Sequence, residues 1–319
     1  MSIFKKIVYM FFQISGFNAV ARSCGTNSLY VIMYHSVSNL SDSANPAKNL
    51  YPHISIDSKA FEAQMKMLAH HGHSFIRFQD IPRIQREHIS KPTIIYFDDG
   101  YKDNLTVALP ILKKYKIPAT IFVTTGLINR THLLWTIELR ALLTEKGISP
   151  IEQVKIIDRL KTLSDIDSRA EIVKKYGALS SEMRQQIGNL YLNWDEVRQL
   201  AREGVEIGSH AVSHSRLTEC SDEQLMNELR GSKEEIESQL GGPVFSFSYP
   251  HGRWNDRVNS ALEKAGYTFV TSVGSGLQSI QGTLKKPLFV KNLPIKITDS
   301  KLAMSAKLYA IPFIKKYVN

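Results

Sequence analysis

Short apolar runs alternate with longer amphipathic stretches along most of the chain. Near-continuous apolar segments at 29–34 (LYVIMY), 74–78 (SFIRF), 93–97 (TIIYF), 119–123 (ATIFV), 205–208 (VEIG), 244–249 (VFSFSY), 268–273 (TFVTSV) and 288–295 (LFVKNLPI) predict strands covered on both faces. Between them, apolar residues recur at helical spacing. Residues 58–71 put Phe61, Met65 and Leu68 on one face, with Ser58 as the expected N-cap, and 103–116 carry Leu105, Leu109 and Leu112 and stop before Ile117-Pro118. Residues 194–203 open on Asn193 with Glu196 three positions later and close at Gly204; 222–240 ends at Gly241-Gly242, and 255–265 at Gly266. Strand–helix alternation of this kind predicts an α/β fold of parallel βα units.

One region breaks the rhythm. From about 127 to 192 there is no strand text, and 133–145, 150–163 and 166–176 predict a helical insertion. It serves either as added packing or as a wall or lid over substrate. The tail from Ser300, with Leu302, Met304, Leu308 and Ile311, predicts a last helix. At the other end, Lys5-Lys6 precede an apolar stretch from Ile7 to Ile14 that Gln13 interrupts. This reads as an uncleaved amphipathic helix that packs on the domain or lies on a membrane surface; a leader cleaved after Ala19-Val20-Ala21 stays open as the alternative. The predicted organisation is an N-terminal amphipathic helix over 1–28, a barrel over 29–297 with its insertion at 127–192, and a C-terminal helix over 298–319. The expected location is cytoplasmic or peripheral to the inner membrane face, with a secreted or periplasmic protein as the alternative.

Composition narrows the field. Of 319 residues, 43% are apolar and 22% charged, which excludes a disordered chain and allows a large core. The net charge of +10 suits an anionic partner, but the basic residues are scattered and no nucleic-acid module is present, so nucleic acid is not an expected partner. Cys24 and Cys220 make no disulfide framework.

Three strand ends carry candidate chemistry. Asp98-Asp99-Gly100 follows the apolar run 93–97, at the end of a βα strand where catalytic groups collect. Neighbouring strand residues point apart, so a turn at Gly100 is needed to bring both carboxylates to one place, and a cation is needed to make that favourable. Alone, the motif also fits an ordinary turn. His210 and His214 follow the run 205–208, and their spacing would put both imidazoles on one face of a helical turn, as two metal ligands or as an exposed polar pair. Two histidines and a carboxylate leave coordination positions open; zinc is the default ion for a redox-inert hydrolase, with cobalt, nickel and manganese compatible. Tyr249-Pro250-His251-Gly252 closes a third strand at a turn whose backbone amides could hold an oxyanion.

Together these motifs resemble the polysaccharide deacetylases, carbohydrate esterase family four. The resemblance rests on Tyr96-Phe97-Asp98-Asp99-Gly100-Tyr101, on Gly208-Ser209-His210-Ala211-Val212-Ser213-His214, and on Tyr249-Pro250-His251-Gly252. Met33-Tyr34-His35-Ser36-Val37 is similar to a strand in the branch serving exopolysaccharide and capsule pathways. The resemblance implies a distorted (β/α) barrel that uses a divalent metal to remove N-acetyl groups from amino sugars of a polysaccharide or glycan intermediate. It implies Asp98 as general base and Asp99, His210 and His214 as metal ligands. Departures are visible. Ser248 stands where the family usually has Arg, His251 where it has Tyr, and Asn292 where the related branch often has Arg. No late Leu-x-His follows to supply a general acid. His35 or His251 is therefore the hypothesised acid, and Tyr101, Tyr249, Pro250 and Trp254 are the expected substrate contacts. The rival readings are an amide hydrolase on a lipid-linked sugar or small amide, and a glycan-binding module without catalysis.

Overall fold

The computed structural model describes residues 28–42, 50–273, 278–279 and 288–292, together with Met304 and Leu308. The helices expected at 1–28 and 298–319 lie, but for Ser28 and those two residues, outside the described part. The strands are β1 (Ser28–Tyr34), β2 (Ser36–Ser38), β3 (Ser55–Asp57), β4 (Ser74–Phe75), β5 (Pro92–Phe97), β6 (Thr120–Val123), β7 (Glu206–Ser209), β8 (Ser246–Ser248), β9 (Phe269–Val273), β10 (Gln278–Ser279) and β11 (Leu288–Asn292). The longer helices are α1 (Ser58–His70), α2 (Leu109–Lys114), α3 (Trp135–Glu145), α4 (Pro150–Leu160), α5 (Asp165–Tyr176), α6 (Ser181–Gly188), α7 (Trp194–Arg202), α8 (Ser232–Leu240) and α9 (Asp256–Lys264).

Parallel pairing runs β1–β5–β6–β7–β8–β9–β11, and β11 returns beside β1, so seven strands make a nearly closed barrel. The alternation of side chains along each strand explains why. Leu29 and Val31 of β1, Ile94 and Tyr96 of β5, Phe122, Phe269 and Val290 share one buried cluster, which fills the interior with Phe78, Ile81 and Ile84. The intervening residues Tyr30, Ile32, Ile95, Phe97, Ile121 and Val123 face outward onto Phe61, Met65, Leu112, Leu200 and Leu262 of the surrounding helices. Gly208 is required where β7 passes β6, because a Cβ there would lie 2.5 Å from the Phe122 ring.

The α/β barrel expected from the sequence is the fold observed. Five details differ. Asp57, not Ser58, caps α1, its carboxylate accepting from the Lys59 amide. The strand expected over 74–78 ends at Phe75, because Phe78 is drawn inward as part of the barrel plug. The helix expected over 103–116 opens with a π turn at Asn104–Ala108, and the one over 222–240 is interrupted by a π turn at Asn227–Gly231. The short parallel pair β2–β3 was not expected; three residues on each side are too few to leave a pattern.

Helices α3 to α6 form a separate layer between β6 and α7, with their own apolar cluster built from Leu139, Leu142, Leu143, Ile157, Leu160, Ile172 and Ile187. Tyr51, Tyr101 and Tyr191 join that cluster and tie it to the barrel. No helix among the described residues is long and apolar enough to cross a membrane.

Candidate active site

The three motif segments meet at the C-terminal mouth of the barrel, at the ends of β5, β7 and β8. Asp98 leaves β5 with its amide still donating to the Tyr34 carbonyl, 3.0 Å away. Asp99 then turns into the left-handed region, at φ +74°, and Gly100 follows at φ +79°. That reversal cancels strand alternation and lets both carboxyl groups face one cavity. Aspartate tolerates this conformation better than most residues, at a cost of roughly 1–3 kcal/mol. At Gly100 the open φ adds to tight packing, since a Cβ would meet Ile128 at 3.2 Å.

His210 and His214 come together differently from expectation. The segment between them is not helical; Ala211 and His214 have φ of +65° and +60°, and the chain folds back on itself. Glu228, on the π turn, holds this loop by accepting from the Val212 and Ser213 amides at 2.8 and 2.9 Å. The imidazole centroids lie 4.9 Å apart. His210 Nδ1 donates to the Ser248 carbonyl at 2.7 Å, so its Nε2 presents a lone pair toward Asp99. Asp99 Oδ1 is 3.5 Å from Nε2 of both histidines, and the ligand-type atoms of Asp99, His210 and His214 all lie within 4.8 Å of one another.

The electrostatics fit a cation there. Asp98 and Asp99 are 4% and 3% exposed, and Oδ1 of each is buried without a hydrogen-bond partner. Burial, then the neighbouring Asp99, pushes the Asp98 carboxyl well above the ordinary range, opposed only by a hydrogen bond with the Ser248 side chain. Burial pushes Asp99 up to about 7. Desolvation lowers His210 to about 3 and His214 well below its usual value, so both imidazoles stay neutral. Neutral imidazoles beside carboxyl groups that lack a counter-charge are the donor set a divalent ion takes. Two imidazoles and one carboxylate match zinc chemistry and leave positions open.

A cavity of about 450 Å³ opens onto these groups, lined also by His35, Tyr249 and His251. Desolvation lowers His35 to about 4. His251, at φ +58°, donates from Nε2 to the His214 carbonyl at 3.2 Å. In the same turn the Gly252 and Arg253 amides already donate to Tyr249 and Pro250 carbonyls.

Three expected substrate contacts are placed elsewhere. Tyr101 is fully buried, its ring 4.8 Å from Tyr51 and 5.0 Å from Tyr191, where it anchors the insertion. Pro250 is buried in its turn and is not part of the cavity wall. Trp254 is 45% exposed and packs on Phe289 at 4.8 Å, outside the cavity. Residues not singled out by the sequence complete the site. Asp103 accepts from Ser36 and Ser38, and Asn104 donates to the His35 carbonyl at 2.7 Å, which fixes the His35 loop. Their signal was two polar residues placed directly after Asp98-Asp99-Gly100-Tyr101-Lys102. Glu228 gave no sequence signal, because the π turn that aims it is invisible in helical text.

Residues 85–270 match the family model described as Polysaccharide deacetylase. The chain belongs to the polysaccharide deacetylase family. YxkH of Bacillus subtilis (strain 168), whose name assigns it to the same family, is 24% identical over 254 residues, 79% of this chain and 66% of that protein. The Staphylococcus aureus (strain MSSA476) protein named Poly-beta-1,6-N-acetyl-D-glucosamine N-deacetylase is 22% identical over 254 residues, 76% of this chain and 71% of that one. Among solved structures, the Streptococcus pyogenes deacetylase PplD in complex with acetate superposes with a TM-score of 0.61 at 18% identity, over 89% of this chain and 99% of PplD; the fold is shared. Ser248 lies beside the Asp98 carboxyl and favours its charged form, as a neutral group where an Arg would be a charged one.

Proposed function

We propose that the protein is a metal-dependent N-deacetylase acting on amino sugars of a polysaccharide or glycan intermediate. The observation that carries this reading is the buried Asp98 carboxyl, unpartnered at Oδ1, beside the Asp99–His210–His214 cluster in a cavity open to solvent. Asp99, His210 and His214 would hold the ion, which when bound supplies Lewis-acid polarisation of an amide carbonyl. Asp98 accepts the proton of the attacking water, and Ser248 orients its carboxyl. The names of the relatives and the fold support an N-acetyl glycan as substrate; zinc is the ion that the donor set favours.

The proton must then reach the leaving amine. At about 4, His35 is neutral at pH 7, so it acts as acid only by receiving the proton that Asp98 removes. His35→Ala is expected to lower kcat by more than about tenfold, within the range of general acid catalysis. A smaller loss would assign proton return to His251 or to Asp98 itself, and a parallel His251→Ala variant decides between them.

The reading is tested by acetate release from N-acetylglucosamine oligomers with zinc, with chelator, and with zinc restored. Release that is abolished by chelator and recovered with zinc is the expected result. Binding of the oligomers without turnover under every metal condition would make the protein a glycan-binding module instead.

A further inference from the structure

The catalytic cavity does not end at the candidate metal ligands. A second cavity of about 230 Å³ adjoins it, and the two share Leu134, Trp135, Thr136, His214 and His251 as walls. The first, about 450 Å³, falls within the roughly 300–1,000 Å³ of small-molecule sites, and the second, about 230 Å³, falls below it. The smaller space therefore suits one unit of a ligand that begins next door better than a separate ligand.

Its far wall comes from the helical insertion, through Trp135 at the start of α3 and Asp165 and Ile166 in the first turn of α5. This wall is fastened to the His210–His214 loop. Arg216, two residues after His214 and only 5% exposed, donates to the Lys161 carbonyl at 2.9 Å and to the Leu163 carbonyl. Its Nε lies 3.7 Å from Asp165 Oδ1, and the same oxygen accepts from Trp135 Nε1 at 3.1 Å. A nearly buried guanidinium with three acceptors makes a rigid joint. At the rim, Ile166 is 76% exposed among the hydroxyls of Ser213 and Ser215 and the Asp165 carboxylate. An apolar platform edged by hydroxyls and a carboxylate matches the two characters of a pyranose ring, a C–H face and a hydroxyl rim.

On the reading proposed above, we infer that this side cavity is a subsite for the sugar next to the one being deacetylated. The insertion is then the part of the chain that selects a linked amino-sugar chain over a free monosaccharide, with Ile166 as the platform and Arg216 as the positioning residue that holds it.

The test uses the full chain loaded with zinc. The probes are N-acetylglucosamine and its β-1,4- and β-1,6-linked tetramers, read by calorimetric Kd and by kcat/KM for acetate. One tetramer is expected to exceed the monomer by about tenfold in both measures. Ile166→Asp, acceptable in a first helical turn, is expected to shrink that ratio to below about threefold. Ile151→Asp, a control at a position 75% exposed on α4 and lining neither cavity, keeps the wild-type ratio. A tetramer advantage that is absent, or that survives Ile166→Asp, overturns the subsite, and acetate released equally from monomer and tetramer would do so while leaving the deacetylase reading standing. An Ile166-dependent tetramer preference in Kd with no acetate from any probe supports the subsite and overturns the deacetylase reading.

Discussion

Asp98→Asn is expected to lower kcat for acetate release by about 10²–10⁴-fold, the usual worth of a general base, with zinc content unchanged. The side chains are isosteric, so the packing beside Ser248 can persist while the proton acceptor is lost. Zinc content should hold because the three ligand-type groups that converge are Asp99, His210 and His214; Asp98 Oδ1 lies 4.0 Å from His210 Nδ1, the nitrogen turned toward Ser248. Zinc bound per chain after gel filtration, measured beside kcat, separates two failures. A kcat within tenfold of wild type places the base elsewhere. Loss of zinc together with activity makes Asp98 a ligand and leaves the proton without an acceptor.

The parts of this site that could be read from sequence were those carried by strand ends. A near-continuous apolar run fixes where a parallel strand stops, and chemistry-bearing residues just beyond it fall at the mouth of the barrel whatever the loops do. Strand ends marked Asp98, Asp99, His210 and His214 as candidates, and the family resemblance joined them into one site. Their local geometry was not legible. The i, i+4 spacing of the histidines suggested a helical turn, whereas left-handed residues at Ala211 and His214 and the carboxylate of Glu228 produce the convergence.

Of the expected sugar contacts, Tyr249 lines the cavity, whereas the aromatic pair Tyr101 and Trp254 lies outside it for one physical reason. Aromatic residues beside a catalytic motif are as useful to a core as to a ligand, and sequence does not reveal which core lies nearby. Tyr101 is buried because Tyr51, from the segment before β3, and Tyr191, at the end of the insertion, pack against it, and Trp254 turns to Phe289 on β11. Conversely, Ile166 reaches the side cavity from the insertion, more than 30 positions from either candidate metal-ligand motif, through a joint at Arg216 that only folding reveals.

A second large effect runs in the opposite direction for stability and function. In the metal-free protein, Asp99→Asn is expected to raise stability above pH 7. Asp99 is 3% exposed, its Oδ1 is unpartnered, and its folded pKa is about 7 against an ordinary 3.8. At 1.36 kcal/mol per unit, that difference is worth about 4 kcal/mol. The sign follows from proton binding. The folded state keeps the Asp99 proton up to about pH 7, whereas the unfolded chain loses it near 3.8, so wild-type stability falls as pH rises through that window. Below 3.8 both states are protonated and the two proteins should match; the gap opens between 3.8 and about 7 and is constant above. Zinc closes the gap, because a ligand at about 1,000 times its Kd stabilises the folded state by roughly 4 kcal/mol, and only wild type retains the carboxylate to bind it. Urea unfolding at pH 5 and pH 8, with chelator and with zinc, reads all four corners. A variant no more stable than wild type at pH 8 in chelator would mean that Asp99 has a partner in the apo state. One that gains stability from zinc as wild type does would remove Asp99 from the ligand set.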